Sequence, residues 1–92
     1  MSVELQAIVT REFSVAGERR ALLRIGKPAE HPAGDWICPF QVTGLGDERV
    51  YEAAGVDGLQ ALLMALQMVR AQLEPLRRSG RIRWMDGDDL GL

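Results

Sequence analysis

The chain has one cysteine, one histidine, and aromatic side chains at only 5% of its 92 positions. A lone Cys38 cannot close an intramolecular disulfide, and without a CxxC pair there is no framework for a structural zinc site. A secreted disulfide scaffold is therefore excluded. There is no excess of basic charge either: the net charge is -2 and the pI near 5.3. That weighs against nucleic acid as a partner, because neutralising phosphates needs a concentrated basic surface. Long apolar runs are missing. The longest, Leu59 to Val69, is broken by Gln60 and Gln67 and is too short to span a bilayer. The N-terminus, MSVELQAIVTREF, carries Glu4 early and lacks the basic start and apolar core of a signal peptide. A cytoplasmic, non-membrane protein is expected.

What is present is an ordinary globular composition, 47% hydrophobic and 26% charged. It suits one small domain over residues 1–92, whose limited core oligomerisation often supplements. Val3, Leu5, Ala7 and Val9 alternate with polar residues at the period of a half-buried strand, and Phe13 and Val15 keep that parity across an interruption at Arg11. Ala16-Gly17-Glu18-Arg19 reads as a turn. Arg20 to Lys27 reads as a return strand with Ala21, Leu23 and Ile25 on one face. After the Pro-rich connection KPAEHPAGD, a third strand carries Trp36, Cys38, Phe40 and Val42 on one parity. Its Pro39 predicts an edge strand or a bulge. Arg49 to Ala53 reads as a short fourth strand, and Arg81 to Met85 as a closing one.

The strongest signal is a helix from Asp57 to about Ser79. Asp57 is placed as an N-cap, with Gln60 three residues on completing a capping-box pattern. Leu59, Leu62, Leu66, Val69, Leu73 and Leu76, joined by Leu63 and Ala65, fill one broad stripe expected to lie on the sheet. Pro75 predicts a kink, a restart or an early end near Glu74. Gly80 and the preceding Arg77 and Arg78 suit the helix C-terminus. The expected fold is α+β: a two-layer, four- to five-stranded, mostly antiparallel sheet packed by one long amphipathic helix, in the order ββββα with room for a final short strand. The acidic tail, residues 86–92, is expected to fray.

No constellation points to catalysis. His31 lies in a loop without a partner at a diagnostic spacing, and Cys38 sits at an inward strand position as a small hydrophobe. Asp86-Gly87-Asp88-Asp89 is too short for a calcium loop and reads as solvated charge. Gly44 and Gly46 are turn residues, since no phosphate fingerprint follows them. The arginines at 19, 20 and 24 with Lys27, and those at 77, 78, 81 and 83, are diluted by Glu18, Glu48, Glu74 and the acidic tail. No cofactor, metal or catalytic residue is expected. Ala61, Met64, Met68 and Ala71 form a second helix face where Lys or Glu would be usual, and make a candidate interface for a homodimer or a protein partner. Trp36, Tyr51 and Trp84, with Asp35 or Asp47 at the rim, make a candidate pocket between helix and sheet.

The segments CPFQVTGLGDERVYEAAGVDGLQALLMALQMVRAQLE (Cys38 to Glu74) and WMDGDDLGL (Trp84 to Leu92) resemble a family of small, uncharacterised bacterial proteins of about a hundred residues. The densest part is GVDGLQALL, Gly55 to Leu63. The resemblance implies a sheet-plus-helix fold and brings no activity. The functional expectation is a non-catalytic protein-interaction or accessory module, of an immunity or regulatory kind. The alternative is a small-molecule-binding domain or enzyme using the helix–sheet pocket.

Overall fold

The computed structural model describes residues 5–85, 87 and 89–92. It contains one antiparallel sheet and one helix: β1 (Ala7–Val15), β2 (Arg19–Gly26), β3 (Ala29–Glu30), β4 (Trp36–Thr43), β5 (Tyr51–Gly55), α1 (Gly58–Arg78) and β6 (Ile82–Arg83). The fold is α+β, as expected. The two-residue β3, inside the Pro-rich connection, is an element the sequence pattern does not announce.

β4 is the interior of the sheet. Phe40 pairs with Ile25 on one side and Tyr51 on the other, and Trp36 likewise with Glu30 and Gly55. β3 therefore prolongs the line of β2 along β4, and β5 forms the opposite edge. The β2–β4 ladder ends at Ile25–Phe40 and resumes as Ala29–Ile37, so the break falls opposite Pro39. An interior strand tolerates the missing N–H at such a discontinuity. Pro39 thus marks a ladder break rather than an edge.

The helix confirms its start and most of its buried stripe, with the face rotated so that Ala61 goes in and Leu59 and Leu63 come out. Asp57 accepts a hydrogen bond from the Gln60 N–H at 2.8 Å, while the Gln60 side chain reaches back to the Val56 N–H at 2.7 Å. The C-terminus closes with Gly80 at φ 76°, Gly80 N–H donating to Arg77 O and Arg81 N–H to Leu76 O. These are the two bonds of a Schellman ending. Pro75 sits within the last turns without ending the helix early. The buried row is Ala61, Ala65, Val69 and Leu73, spaced by four. Leu59 and Leu63, expected in the stripe, are 66% and 49% exposed, and Leu62 and Leu66 are half-buried. The reason is close approach: a Cβ built on Gly55 would stand 2.4 Å from the Ala61 backbone nitrogen. Only small residues fit where α1 meets β5, so the alanines turn inward and the leucines turn to the flank.

The core joins that row to Phe13, Val15, Ala21, Leu23, Ile25, Cys38, Phe40, Val42, Ala53 and Ile82. Leu90 belongs to it as well, 3% exposed, so the chain end expected to fray is anchored there. Asp86 and Asp88 of that acidic tail, and Val3 of the first strand pattern, lie outside the described residues.

The β1–β2 turn holds Glu18 at φ 64°. A side chain in the left-handed region costs roughly 1–2 kcal/mol, which glycine avoids at some cost in unfolded-chain entropy. Glu18→Gly is expected to stabilise the domain by about 0.5–1 kcal/mol. An increased urea midpoint at constant m-value is the readout, and an unchanged or lower midpoint would show the turn to be unstrained.

Candidate functional site

β1 is nine residues long, but its outer edge pairs with β6 only at Ser14–Arg83 and Val15–Ile82. Ala16 N–H adds one bond to Arg81 O. Backbone groups two residues apart face the same edge of an antiparallel strand, which aims those of Thr10 and Glu12 outward. Among the described residues, Ala7 to Phe13 makes no backbone hydrogen bond on that side. The register against β2 slips between Ala7 and Val9, leaving Ile8 as the extra residue of a bulge. Ile8 and Val9 are 53% and 51% exposed. The strand pattern places Val9 on the core face, and α1 does not reach it because the helix lies over β5 and β4.

Between this edge and the helix runs a groove of about 310 Å³, lined by Val9, Thr10, Leu23, Ile25, Leu66 and the chain end at Leu92. Leu59 and Leu63 continue the apolar helix flank beyond Leu66, at helical spacings of three and four. Arg11 closes one end. Its guanidinium stacks on the Trp84 ring at 3.9 Å and donates to Leu90 O at 2.9 Å and Gly91 O at 2.8 Å. The charge that interrupts the apolar alternation of β1 is thus the clamp holding the chain end across the sheet.

The four residues of the expected helix interface do not share one exposed surface. Ala61 is fully buried under β5, Met68 packs on the core, and Met64 and Ala71 are exposed. The three aromatic residues of the expected pocket are also apart. Trp36 lies at the start of β4, beside Gly58. Tyr51 stacks on Phe40, four residues along that strand. Trp84 follows β6, and β2 and β1 separate β6 from β4, a distance of roughly 14 Å across the sheet. The Asp35 backbone carbonyl accepts the His31 N–H, at 2.6 Å.

The polar clusters are internally satisfied. Asp47 accepts two bonds from the Arg49 side chain, at 3.0 and 3.1 Å, and one from the Tyr51 hydroxyl. The Arg49 guanidinium first, then Tyr51, hold the Asp47 carboxyl well below the usual carboxylate range. This brace ties the β4–β5 connection to its strand. Glu74 pairs with Arg77 and, at 3.8 Å, with Arg78, while Arg20 pairs with Glu12. Cys38 is buried, its thiol 3.5 Å from Gly26 O, and burial pushes its pKa up. His31 accepts the Ala33 N–H through Nδ1 at 3.1 Å in an exposed loop. Among the described residues, no three His, Cys, Asp or Glu side chains gather as metal ligands, and no helix is long and apolar enough to cross a membrane.

Sequence reasoning missed the site at β1 because exposure of Val9 depends on where the helix lies. The signal available was Gln6 to Thr10 itself, uncharged and rich in β-formers. No curated protein and no solved structure matches the chain. A family model does match, over residues 9–92, from the first exposed residue of the groove to the anchored chain end. The chain belongs to the family defined by that model, the domain of unknown function DUF6968.

Proposed function

We propose that this domain is a non-catalytic protein-interaction module, docking through the open edge of β1 and the adjacent flank of α1. The observation that carries the reading is an unpaired strand edge with Ile8 and Val9 exposed, where Val9 shares a groove with Leu66 of the helix flank that Leu59 and Leu63 continue. A strand edge offers ordered donors and acceptors, and neighbouring apolar side chains supply the area that makes pairing favourable. The groups with chemical potential support the non-catalytic part. Cys38 is shielded from solvent, and Asp47 is committed to Arg49 and Tyr51. A role that occludes a partner's surface, as an immunity or regulatory protein does, suits such an edge.

The test is a photo-crosslinking side chain placed at Val9, at Leu63 and, as a control, at Glu52 on the opposite edge, in the full chain inside the cell. Adducts of discrete mass are expected from the first two positions and not from Glu52. No adduct from Val9 or Leu63, or equal adducts from all three, would overturn the reading.

A further inference from the structure

We infer that the occupant of the β1 edge is a second copy of this chain, paired antiparallel about a two-fold axis at Val9 or Thr10, an inference that rests on the interaction reading above. Surface area is the first argument. A folded monomer of 10.2 kDa is expected to expose about 5,300 Å². This chain exposes 6153 Å². Ile8, Val9, Leu59 and Leu63 expose on the order of 400 Å² between them, about half of what each partner buries in a standard interface. The strand backbones, Leu66 and Leu92 extend the patch, so a weak, reversible dimer is the scale that fits.

Charge selects the register. A two-fold axis normal to the sheet keeps each residue on its own face, so paired positions share parity. An axis at Arg11 or Glu12 would set like charges directly opposite each other, which is destabilising. The segment Gln6 to Thr10 carries no charge, no proline and no glycine. An axis at Val9 sets Val9 opposite itself and Ile8 opposite Thr10, and an axis at Thr10 sets Thr10 opposite itself and Val9 opposite Arg11, so neither brings like charges face to face. β6 pairs with β1 only at Ser14 and Val15, and the chain end is held at the Arg11 side chain rather than by the strand backbone, which leaves the backbone edge from Ala7 to Glu12 unpaired among the described residues. The other sheet edge is a poorer template: β5 is five residues, carries Glu52, and its Tyr51 is already held by Phe40 and Asp47.

Sedimentation of the purified chain from about 1 to 200 μM tests this, since interfaces of this size give weak complexes. The expected result is a monomer at the low end and a dimer at the high end. Val9→Lys is expected to raise the midpoint concentration at least tenfold. Leu63→Lys should do the same from the helix, which keeps the test valid should the strand variant misfold. Thr10→Cys should oxidise to a disulfide dimer faster than Glu52→Cys at equal concentration, the native Cys38 being buried. A monomer throughout, or equal oxidation at both positions, overturns the dimer. Should the cellular crosslinks at Val9 and Leu63 then carry a different protein, the interaction reading stands and only the second copy falls.

Discussion

Gly55→Ala is expected to destabilise the domain by about 3 kcal/mol or more, the upper end for overpacking a well-filled site. The added methyl would lie 2.4 Å from Ala61 N, 2.8 Å from Gln60 C and 3.0 Å from Ala61 Cα. All three are backbone atoms, so no side chain can swing aside. Relief requires lifting the first turn of α1 from β5, which uncovers Ala61 and Ala65 and strains the Asp57 cap. In a domain of this size, such a loss lowers Tm by more than about 10 °C. Gly58→Ala is the matched control. Its methyl meets the Trp36 ring at 3.3 Å, a side chain with room to give, and less than about 1 kcal/mol is expected. Urea denaturation followed by far-UV circular dichroism separates the two. Similar stabilities would mean that the helix is not seated against the strand backbone.

Removing the Arg11 guanidinium is expected to release the chain end without unfolding the sheet. Arg11→Met keeps the apolar stem but deletes the cation over Trp84 and the two hydrogen bonds to Leu90 and Gly91. Such contacts are worth about 0.5–2 kcal/mol for the ring and about 1.5–3 kcal/mol for each charged bond, discounted here by partial exposure. A net loss of about 2–3 kcal/mol is the expected scale, concentrated at residues 89–92. Leu90 would then exchange its core site for water, at a cost of up to about 2 kcal/mol more if its release is complete. Amide exchange at the chain end is expected to speed by roughly 30- to 100-fold, since each 1.4 kcal/mol is tenfold. Protection in the middle of β4 should change little by comparison. Unaltered exchange at the chain end would show that Leu90 alone holds the tail.

These two positions show where sequence reading succeeded and where it stopped. The Asp57 cap, the helix span and the Gly80 ending follow from rules acting within a few residues, and all three stand in the structure. The inward parity of Ala21, Leu23 and Ile25, and of Cys38, Phe40 and Val42, was equally legible, because a strand alternates whatever it packs against. Arg11 was visible as an interruption, but its partners lie about eighty positions away at Leu90 and Gly91. Nothing local names them.

The amino-acid order alone determined that this chain makes an antiparallel sheet and one capped amphipathic helix without a disulfide framework. Its periodicity left two apolar faces on that helix, the stripe from Leu59 to Leu76 with Ala65, and the strip of Ala61, Met64, Met68 and Ala71. Only the tertiary structure fixed the line buried between them, because the distance between α1 and the backbone at Gly55 admits Ala61 and Ala65 and turns Leu59 and Leu63 aside, while Val69 and Leu73 of the stripe stay inside. The same seating over β5 and β4 leaves the first half of β1 uncovered. Burial is a property of what lies opposite, and for Val9 nothing in its own neighbourhood of the chain decides that.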